Sequence, residues 1–133
     1  MYDINNTKKM KKNQILGIGI DIENISRFGK SKLSKNNRFL NKIFTKVELD
    51  YCFSKKNVAS SLATKFAGKE AIIKACESID KTDVDYKKIE IINIPSGAPK
   101  VRLISNQKKE YEILISLSND ADKAVGVAIL INK

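Results

Sequence analysis

Two carboxylates and one lysine in otherwise apolar segments have side chains of types that can bind a ligand or take part in catalysis. Asp21 lies near the end of one apolar segment, and Glu70 and Lys74 lie four residues apart in another. Because residues four apart share one face of a helix, Glu70 and Lys74 are predicted to lie on the face that also carries Phe66. The alternative interpretation is a surface ion pair, which stabilises a helix by only about 0.2–0.5 kcal/mol.

The chain contains no histidine among its 133 residues. This absence excludes Ser-His-Asp and Cys-His catalytic systems and any zinc site that uses histidine ligands. Catalysis would therefore depend on carboxylates, lysines, hydroxyls or a hard metal ion bound by oxygen atoms. Cys52 and Cys76 match no metal-binding or redox spacing, which indicates reduced thiols in a reducing compartment.

A helix of about five turns is predicted to present Glu70 and Lys74. Asn57 is a suitable N-cap, and no proline follows it in this segment. Gly68 falls in the middle of the helix, where glycine costs about 0.5–1 kcal/mol relative to alanine, so we expect another element to approach the backbone there. The apolar residues predicted to face the core are Val58, Leu62, Phe66, Ile73 and Cys76.

A strand over residues 15–22 is predicted to present Asp21. Strand alternation places Gly17, Gly19, Asp21 and Glu23 on one face. A face with two glycines and a carboxylate leaves room for a packed helix or a ligand, although Asp21 could also be a simple cap or turn residue. The opposite face would carry Leu16, Ile18, Ile20 and Ile22.

The remaining pattern predicts two short helices and four strands. Thr45 and Glu48 form a capping box, so the second short helix should begin at Lys46 and turn Val47, Tyr51 and Cys52 inward. The short helices cover residues 38–43 and 46–53, and the strands cover residues 88–94, 100–105, 112–118 and 124–131. One face of the last strand is small enough for a helix to pack on it, which predicts an α+β domain with an antiparallel sheet packed on one long helix.

The net charge of +10 is concentrated in one part of the chain. Residues 23–56 contain nine lysines and arginines against three acids, which indicates an acidic partner. Residues 1–14 are polar and rich in lysine and are predicted to form a flexible basic extension to a single domain over residues 15–133. No apolar run approaches the about 18–20 residues of a membrane span, so we expect a cytoplasmic protein that does not enter a membrane.

Four motifs follow one another along the chain: the strand motif 17–22 followed by Arg27, the helix motif 66–71 followed by Lys74, Gly97-x-Pro99, and 115–118. Taken together, they resemble those of the holo-acyl-carrier-protein synthases, the short, trimeric class of the 4′-phosphopantetheinyl transferases. The resemblance extends over about residues 15–131. It implies the 4′-phosphopantetheinyl transferase fold and transfer of 4′-phosphopantetheine from coenzyme A to a serine of apo acyl carrier protein. Adenosine 3′,5′-bisphosphate would be released, as a step in fatty acid biosynthesis.

The resemblance also implies roles for individual residues. Asp21 and Glu70 would bind Mg²⁺, and a water on that ion, or Glu70 through it, would take the serine proton. Lys74 would stabilise or protonate the departing phosphate, and Arg27 would help to dock the acidic carrier protein. A homotrimer would place the sites between subunits. The residues implied to bind coenzyme A are Lys56, Lys65, Lys74, Gly97, Pro99, Ser118 and Asn119.

Two alternatives to this function stay open at the level of the sequence. One is a catalytically weak relative that only binds coenzyme A or carrier protein, because Asn119 stands where the family has histidine and a glycine-rich turn after the long helix is missing. The other is a basic nucleic-acid-binding domain, since lysines alternate with aromatic residues between residues 39 and 53. Those aromatic residues also occupy positions suited to a core, so we expect no nucleic-acid partner. They are Phe39, Phe44, Tyr51 and Phe53.

Overall fold

The computed structural model describes residues 12–29, 34–81, 83–104 and 111–133. The helices within these ranges are α1 (Arg38–Ile43), α2 (Lys46–Phe53) and α3 (Val58–Glu77), with short 3₁₀ turns at Ile25–Phe28 and Tyr86–Lys88. The strands are β1 (Ile15–Asn24), β2 (Ile89–Asn93), β3 (Pro99–Leu103), β4 (Tyr111–Asp120) and β5 (Lys123–Asn132). None of the described helices is long and apolar enough to cross a membrane.

Helix α3 packs across a three-stranded antiparallel sheet in the order β1-β5-β4. Strands β2 and β3 form a separate antiparallel hairpin, and β2 also contacts α3. As predicted, α3 begins after Asn57, whose side chain accepts a hydrogen bond from the Ser60 amide. The structure therefore confirms an α+β fold in which an antiparallel sheet packs on one long helix.

Glycines allow α3 and its neighbours to approach very closely. A Cβ atom added at Gly19 of β1 would lie 2.0 Å from the carbonyl oxygen of Ala71 in α3. A Cβ atom added at Gly68 would lie 2.8 Å from the tip of the Ile91 side chain. These distances are too short for real Cβ contacts, so both predictions are confirmed: the glycine face of β1 receives a helix, and Gly68 marks a close approach.

The sheet face that points away from α3 is apolar and exposed. Ile18, Ile20 and Ile22 of β1 are each 62–63% exposed, because the glycine face of this strand packs on the helix. Along β5, the small residues Ala124 and Ala128 point inward and are fully buried, as the sequence predicts. The described chain therefore leaves a row of large aliphatic side chains in contact with solvent.

The helix predictions differ from the structure in two details. Val47 was predicted to turn inward, but it is exposed on the outer side of α2. In α3, Ile73 is half-buried and packs against the core as predicted, but its neighbour Ile72, which was not predicted to face the core, is fully buried. The physical reason in α3 is that the sheet covers one side and α2 and the hairpin cover another, so the buried part is wider than a single apolar stripe.

The residues just before β1 continue its pairing with β5. The Asn13 amide donates to the Asn132 carbonyl at 3.1 Å, and the Asn132 amide donates to the Gln14 carbonyl at 3.0 Å. Asn13 and Gln14 belong to the predicted flexible extension. Residues 1–11 of that extension lie outside the described residues.

Candidate active site

Asp21 and Glu70 lie at one site, where β1 crosses the middle of α3. The Lys74 ammonium contacts Asp21 Oδ1 at 3.2 Å and donates to the Ile20 carbonyl at 3.1 Å. Lys74 follows Glu70 by one helical turn on the same face, so Asp21 lies beside the turn that carries Glu70. Glu70 accepts a hydrogen bond from Tyr86, and Lys74 contacts Asp21. The two residues thus have separate partners instead of forming the surface ion pair of the alternative interpretation.

The Asp21 carboxylate is incompletely satisfied. Its side chain is only 11% exposed, and Oδ2 is buried without a hydrogen-bond partner among the described residues. A buried oxygen of this kind is costly unless a ligand contacts it. A divalent cation would satisfy it, and a donor set of two carboxylates suits Mg²⁺, which keeps several waters and also binds substrate phosphates. Asp21 and Glu70 therefore fit the magnesium site that the resemblance implies.

Tyr86 is a residue of this site that the sequence analysis missed. Its hydroxyl donates a hydrogen bond to Glu70 Oε1, and its ring stacks on Phe66 with 6.2 Å between the ring centroids. Burial, with Glu70 and then Asp21 adding to it, raises the pKa of Tyr86 to about 12. The hydroxyl therefore keeps its proton near neutral pH. No motif marks Tyr86, because its role depends on where the 3₁₀ turn places it.

Glu23 and Arg27 complete this side of the site. The Arg27 guanidinium contacts Glu23 Oε2 at 3.2 Å and lies over the Phe66 ring, 4.9 Å from its centroid. Burial and the neighbouring Asp21 carboxylate raise the pKa of Glu23. Glu23, Arg27, Phe66, Glu70 and Tyr86 line a cavity of about 430 Å³. We call Asp21, Glu23, Glu70 and Lys74 the carboxylate site, and Arg27 lies at its edge.

A second cavity, of about 340 Å³, collects four of the residues predicted to bind coenzyme A: Lys65, Gly97, Pro99 and Asn119. We call it the basic cleft. Asn119 Nδ2 donates to Thr64 Oγ1 at 3.3 Å, and Gly97 has a φ of 93°, which favours glycine. The basic cleft and the cavity at the carboxylate site share no lining residue. Within the described residues, the four residues at the basic cleft and the carboxylate site therefore lie at separate cavities.

The other residues predicted to bind coenzyme A lie outside the basic cleft. Ser118 points to the opposite face of β4 from its neighbours Leu117 and Asn119, because side chains alternate along a strand. Lys56 is exposed, and its neighbour Lys55, which the sequence analysis did not assign to the site, lines the cleft instead. Lys74 lies at the carboxylate site.

Lys65, which is predicted to contact nucleotide phosphates, also has partners within the chain. Lys65 lines the cleft but is only 3% exposed, and its ammonium donates to the Ile91 carbonyl at 2.8 Å and to Asn93 Oδ1 at 2.7 Å. Burial lowers the pKa of this lysine. Its charge is thus already directed towards β2, so its first role is to connect α3 to the hairpin.

Lys69 and Glu48 form an ion pair that the sequence analysis did not predict. Lys69 Nζ lies 2.6 Å from Glu48 Oε1, and both side chains are fully buried. The ammonium also donates to the carbonyls of Ile43, Tyr86 and Ile89 at 2.7–2.8 Å. Burial lowers the pKa of Lys69, although Glu48 opposes the shift. We call Lys69 and Glu48 the closed pair.

The aromatic residues that suggested nucleic-acid binding have other roles in the structure. Phe44 is fully buried in the core, and Tyr51 and Phe53 are half-buried against it. Phe39 is the most exposed of the four, and its ring packs near Phe28 and the Arg27 guanidinium. These rings do not form the exposed row on which nucleic-acid bases stack.

Comparison with known proteins gives a consistent result. A profile of the 4′-phosphopantetheinyl transferase superfamily matches residues 17–128. The holo-[acyl-carrier-protein] synthase of Chlamydia felis is 40% identical over 119 residues, which cover 87% of this chain and 97% of that protein. The Helicobacter pylori synthase, solved in complex with coenzyme A, has 31% identity and a TM-score of 0.69, covering 85% of this chain and 98% of that one. The Bacillus anthracis synthase has a TM-score of 0.72 at 27% identity, covering 90% and 98%.

Proposed function

The chain belongs to the 4′-phosphopantetheinyl transferase superfamily, and from this premise we propose that it transfers 4′-phosphopantetheine from coenzyme A to a serine of apo acyl carrier protein. In this reaction the serine oxygen forms a bond to the phosphorus of the pantetheine phosphate. The bond from that phosphorus to adenosine 3′,5′-bisphosphate breaks, and the serine loses its proton. The observation that carries the proposal is the meeting of Asp21, Glu70 and Lys74 at one site, where a buried Asp21 oxygen has no hydrogen-bond partner among the described residues.

Asp21 and Glu70 are proposed to hold Mg²⁺. When bound, this ion would supply positive charge to the diphosphate of coenzyme A. Glu70 is proposed to accept the serine proton through a water, because its Oε1 is engaged by Tyr86 and its Oε2 would be the oxygen that holds the ion. Lys74 is half-exposed, and its ammonium can therefore contact the departing phosphate and stabilise its charge.

We place coenzyme A between subunits of a homotrimer. The carboxylate site and the basic cleft lie in separate cavities, so a neighbouring chain could supply the cleft that completes each site. The exposed row of Ile18, Ile20 and Ile22 supports an interface on the open face of the sheet, because monomeric proteins rarely expose such contiguous apolar surface.

Arg27 is proposed to contact the acidic carrier protein at the edge of the carboxylate site. Its guanidinium is half-exposed beside Glu70 and Glu23, where a carrier serine would have to arrive. The excess of lysine and arginine in residues 23–56 would attract an acidic partner over a longer distance. We further propose that the enzyme works in the cytoplasm as part of fatty acid biosynthesis, where Cys52 and Cys76 would remain as the free thiols seen in the structure.

Mass spectrometry of an apo carrier protein tests this function. With coenzyme A and Mg²⁺, the carrier should gain the mass of one phosphopantetheine, and the gain should disappear in Asp21→Ala and Glu70→Ala. Asp122→Ala removes an exposed carboxylate at the β4–β5 turn and should leave the gain unchanged. Light scattering of the same preparation should give three times the mass of the chain.

The possible failures of this assay have different meanings. If the folded protein binds coenzyme A or carrier protein without any mass gain, it is a binding relative and the proposed transfer is wrong. If no mass gain occurs and the protein binds RNA tightly instead, the function of the basic residues 23–56 is to bind nucleic acid. If transfer persists in both carboxylate variants, the enzyme is confirmed but the catalytic site lies elsewhere.

A further inference from the structure

We propose that Tyr86 is a positioning residue that makes the carboxylate site select Mg²⁺ over the larger Ca²⁺, by engaging one of the two oxygens of Glu70. This inference rests on the proposed magnesium site and goes beyond it, since it assigns the selectivity of the site to a residue that need not contact the ion. The Tyr86 hydroxyl donates to Glu70 Oε1, which leaves Oε2 as the free oxygen of that carboxylate.

Tyr86 is itself fixed at both ends. Its ring packs against Phe66, with 6.2 Å between centroids, and its backbone carbonyl accepts a hydrogen bond from Lys69 Nζ at 2.7 Å. Lys69 is immobilised in turn by Glu48 of the closed pair. The hydroxyl therefore has little freedom to follow Glu70 if that side chain rotates, and Glu70 is restrained by a rigid donor.

Asp21 is restricted in the same way as Glu70. Lys74 contacts its Oδ1, and Oδ2 is the buried oxygen without a hydrogen-bond partner in the described chain. Each carboxylate thus offers one free oxygen instead of two. Ca²⁺ takes 6–8 oxygen ligands and often uses both oxygens of a carboxylate, whereas Mg²⁺ accepts one or two carboxylates and completes its shell with water and phosphate. Glu23, the third carboxylate of the site, has its Oε2 engaged by Arg27 at 3.2 Å. No carboxylate of the site therefore offers both oxygens, which favours the smaller ion.

Removal of the hydroxyl in Tyr86→Phe tests the inference directly. The phenylalanine keeps the ring that packs on Phe66, but it frees Glu70 Oε1 to bind a cation. The binding of Mn²⁺ to the protein alone is followed by electron paramagnetic resonance and then displaced with Mg²⁺ or Ca²⁺, which gives both dissociation constants without turnover. We expect the ratio of the Ca²⁺ constant to the Mg²⁺ constant to fall about tenfold, the lower end of what outer-shell changes at metal sites produce.

Tyr111→Phe is the matched control, because it removes the same hydroxyl from β4, where the ring contacts Lys81 instead of the carboxylates. It should keep the wild-type ratio. Equal ratios in Tyr86→Phe and Tyr111→Phe, with Mn²⁺ binding that still requires Glu70, would overturn the role of Tyr86 while leaving the metal site intact. Mn²⁺ binding that is unchanged in Glu70→Ala would instead overturn the proposed metal site itself.

Discussion

Helix α3 carries two lysine–carboxylate contacts, five residues apart, that differ in what they leave unpaired. In the closed pair, Lys69 lies 2.6 Å from Glu48 and also donates to three backbone carbonyls. Glu48 accepts from the Thr45 and Ile91 amides at 2.8 Å each. At the carboxylate site, Lys74 is half-exposed and lies 3.2 Å from Asp21, whose second oxygen has no partner in the part of the chain that the structure describes.

The difference teaches how to separate a structural charge from a functional one on the same helix. A buried pair whose donors and acceptors are all engaged has no capacity left for a ligand, so its effect is on the stability of the fold. A partly exposed pair with an unpaired oxygen contributes little to stability and keeps the capacity to bind a cation or phosphate. We therefore expect substitutions at the two sites to change different measured quantities.

The largest effect is expected from breaking the closed pair. Lys69→Met leaves the Glu48 carboxylate buried without its counter-charge and leaves three carbonyls without a donor. The free energy of unfolding should fall by about 3–5 kcal/mol, the usual cost of removing one partner of a buried ion pair. Urea denaturation followed by circular dichroism measures this loss, at one fixed protein concentration because the protein is proposed to be a trimer. A loss below about 1 kcal/mol would contradict the structural role of the pair.

The corresponding substitution at the carboxylate site, Lys74→Met, should lower the rate of transfer and leave the free energy of unfolding nearly unchanged. In Lys74→Met the rate of phosphopantetheine transfer should fall on the order of 10²-fold, because a charge that stabilises the departing phosphate is lost. The free energy of unfolding should change by less than about 0.5 kcal/mol, since the lysine is half-exposed. Lys74→Arg keeps the charge and should retain part of the rate. If Lys74→Met were as destabilising as Lys69→Met, the distinction between the two sites would be lost.

The smallest expected effect concerns the Cys52 thiol, whose buried environment includes the charge of Glu48 from the closed pair. Burial raises the pKa of Cys52 from 9.0 to about 12, and the charges of Lys65 and Glu48 modify it. The unfolded thiol ionises first as the pH rises, so the stability from this group is fully present below pH 9 and is lost as the pH rises towards 12. Between pH 8 and pH 10 we expect a loss of about 1 kcal/mol from this thiol.

Urea denaturation at both pH values measures this loss. Cys52→Ala should show a smaller decrease in stability over the same range, because it has no thiol to ionise. Other groups titrate in this range as well, so the informative quantity is the difference between the two proteins. Equal decreases in the wild type and in Cys52→Ala would show that the thiol is not in a dry environment.

The elements that position the site could be predicted because their signals are local. Asn57 caps α3, and Thr45 with Glu48 forms the capping box of α2, as the residue types three positions apart indicate. The glycines of β1 also predicted a close helix contact, which Gly19 and Ala71 make. Alternation put Asp21 on the glycine face of β1, and helical spacing put Glu70 on the face of α3 that carries Phe66, but only the family resemblance paired the two carboxylates.

The parts that were missed depend on contacts between distant segments. The sequence shows that Lys65 and Lys69 are charged, but their burial is decided by β2, whose carbonyls at Ile89 and Ile91 accept their hydrogen bonds. Tyr86 was missed for the same reason, since only the packing of its 3₁₀ turn against Phe66 brings its hydroxyl to Glu70. A charge pattern along the chain does not distinguish a lysine that binds carbonyls in the core from one that binds phosphate at the surface.

Glu48 has a consequence for the order in which the chain folds. One carboxylate oxygen caps the start of α2 locally, while the other accepts the Ile91 amide, 43 positions away in the hairpin. Both oxygens of this carboxylate are therefore engaged only when that hairpin has docked. A short segment and a distant one thus become ordered together, which favours cooperative folding and disfavours an early, independent α2.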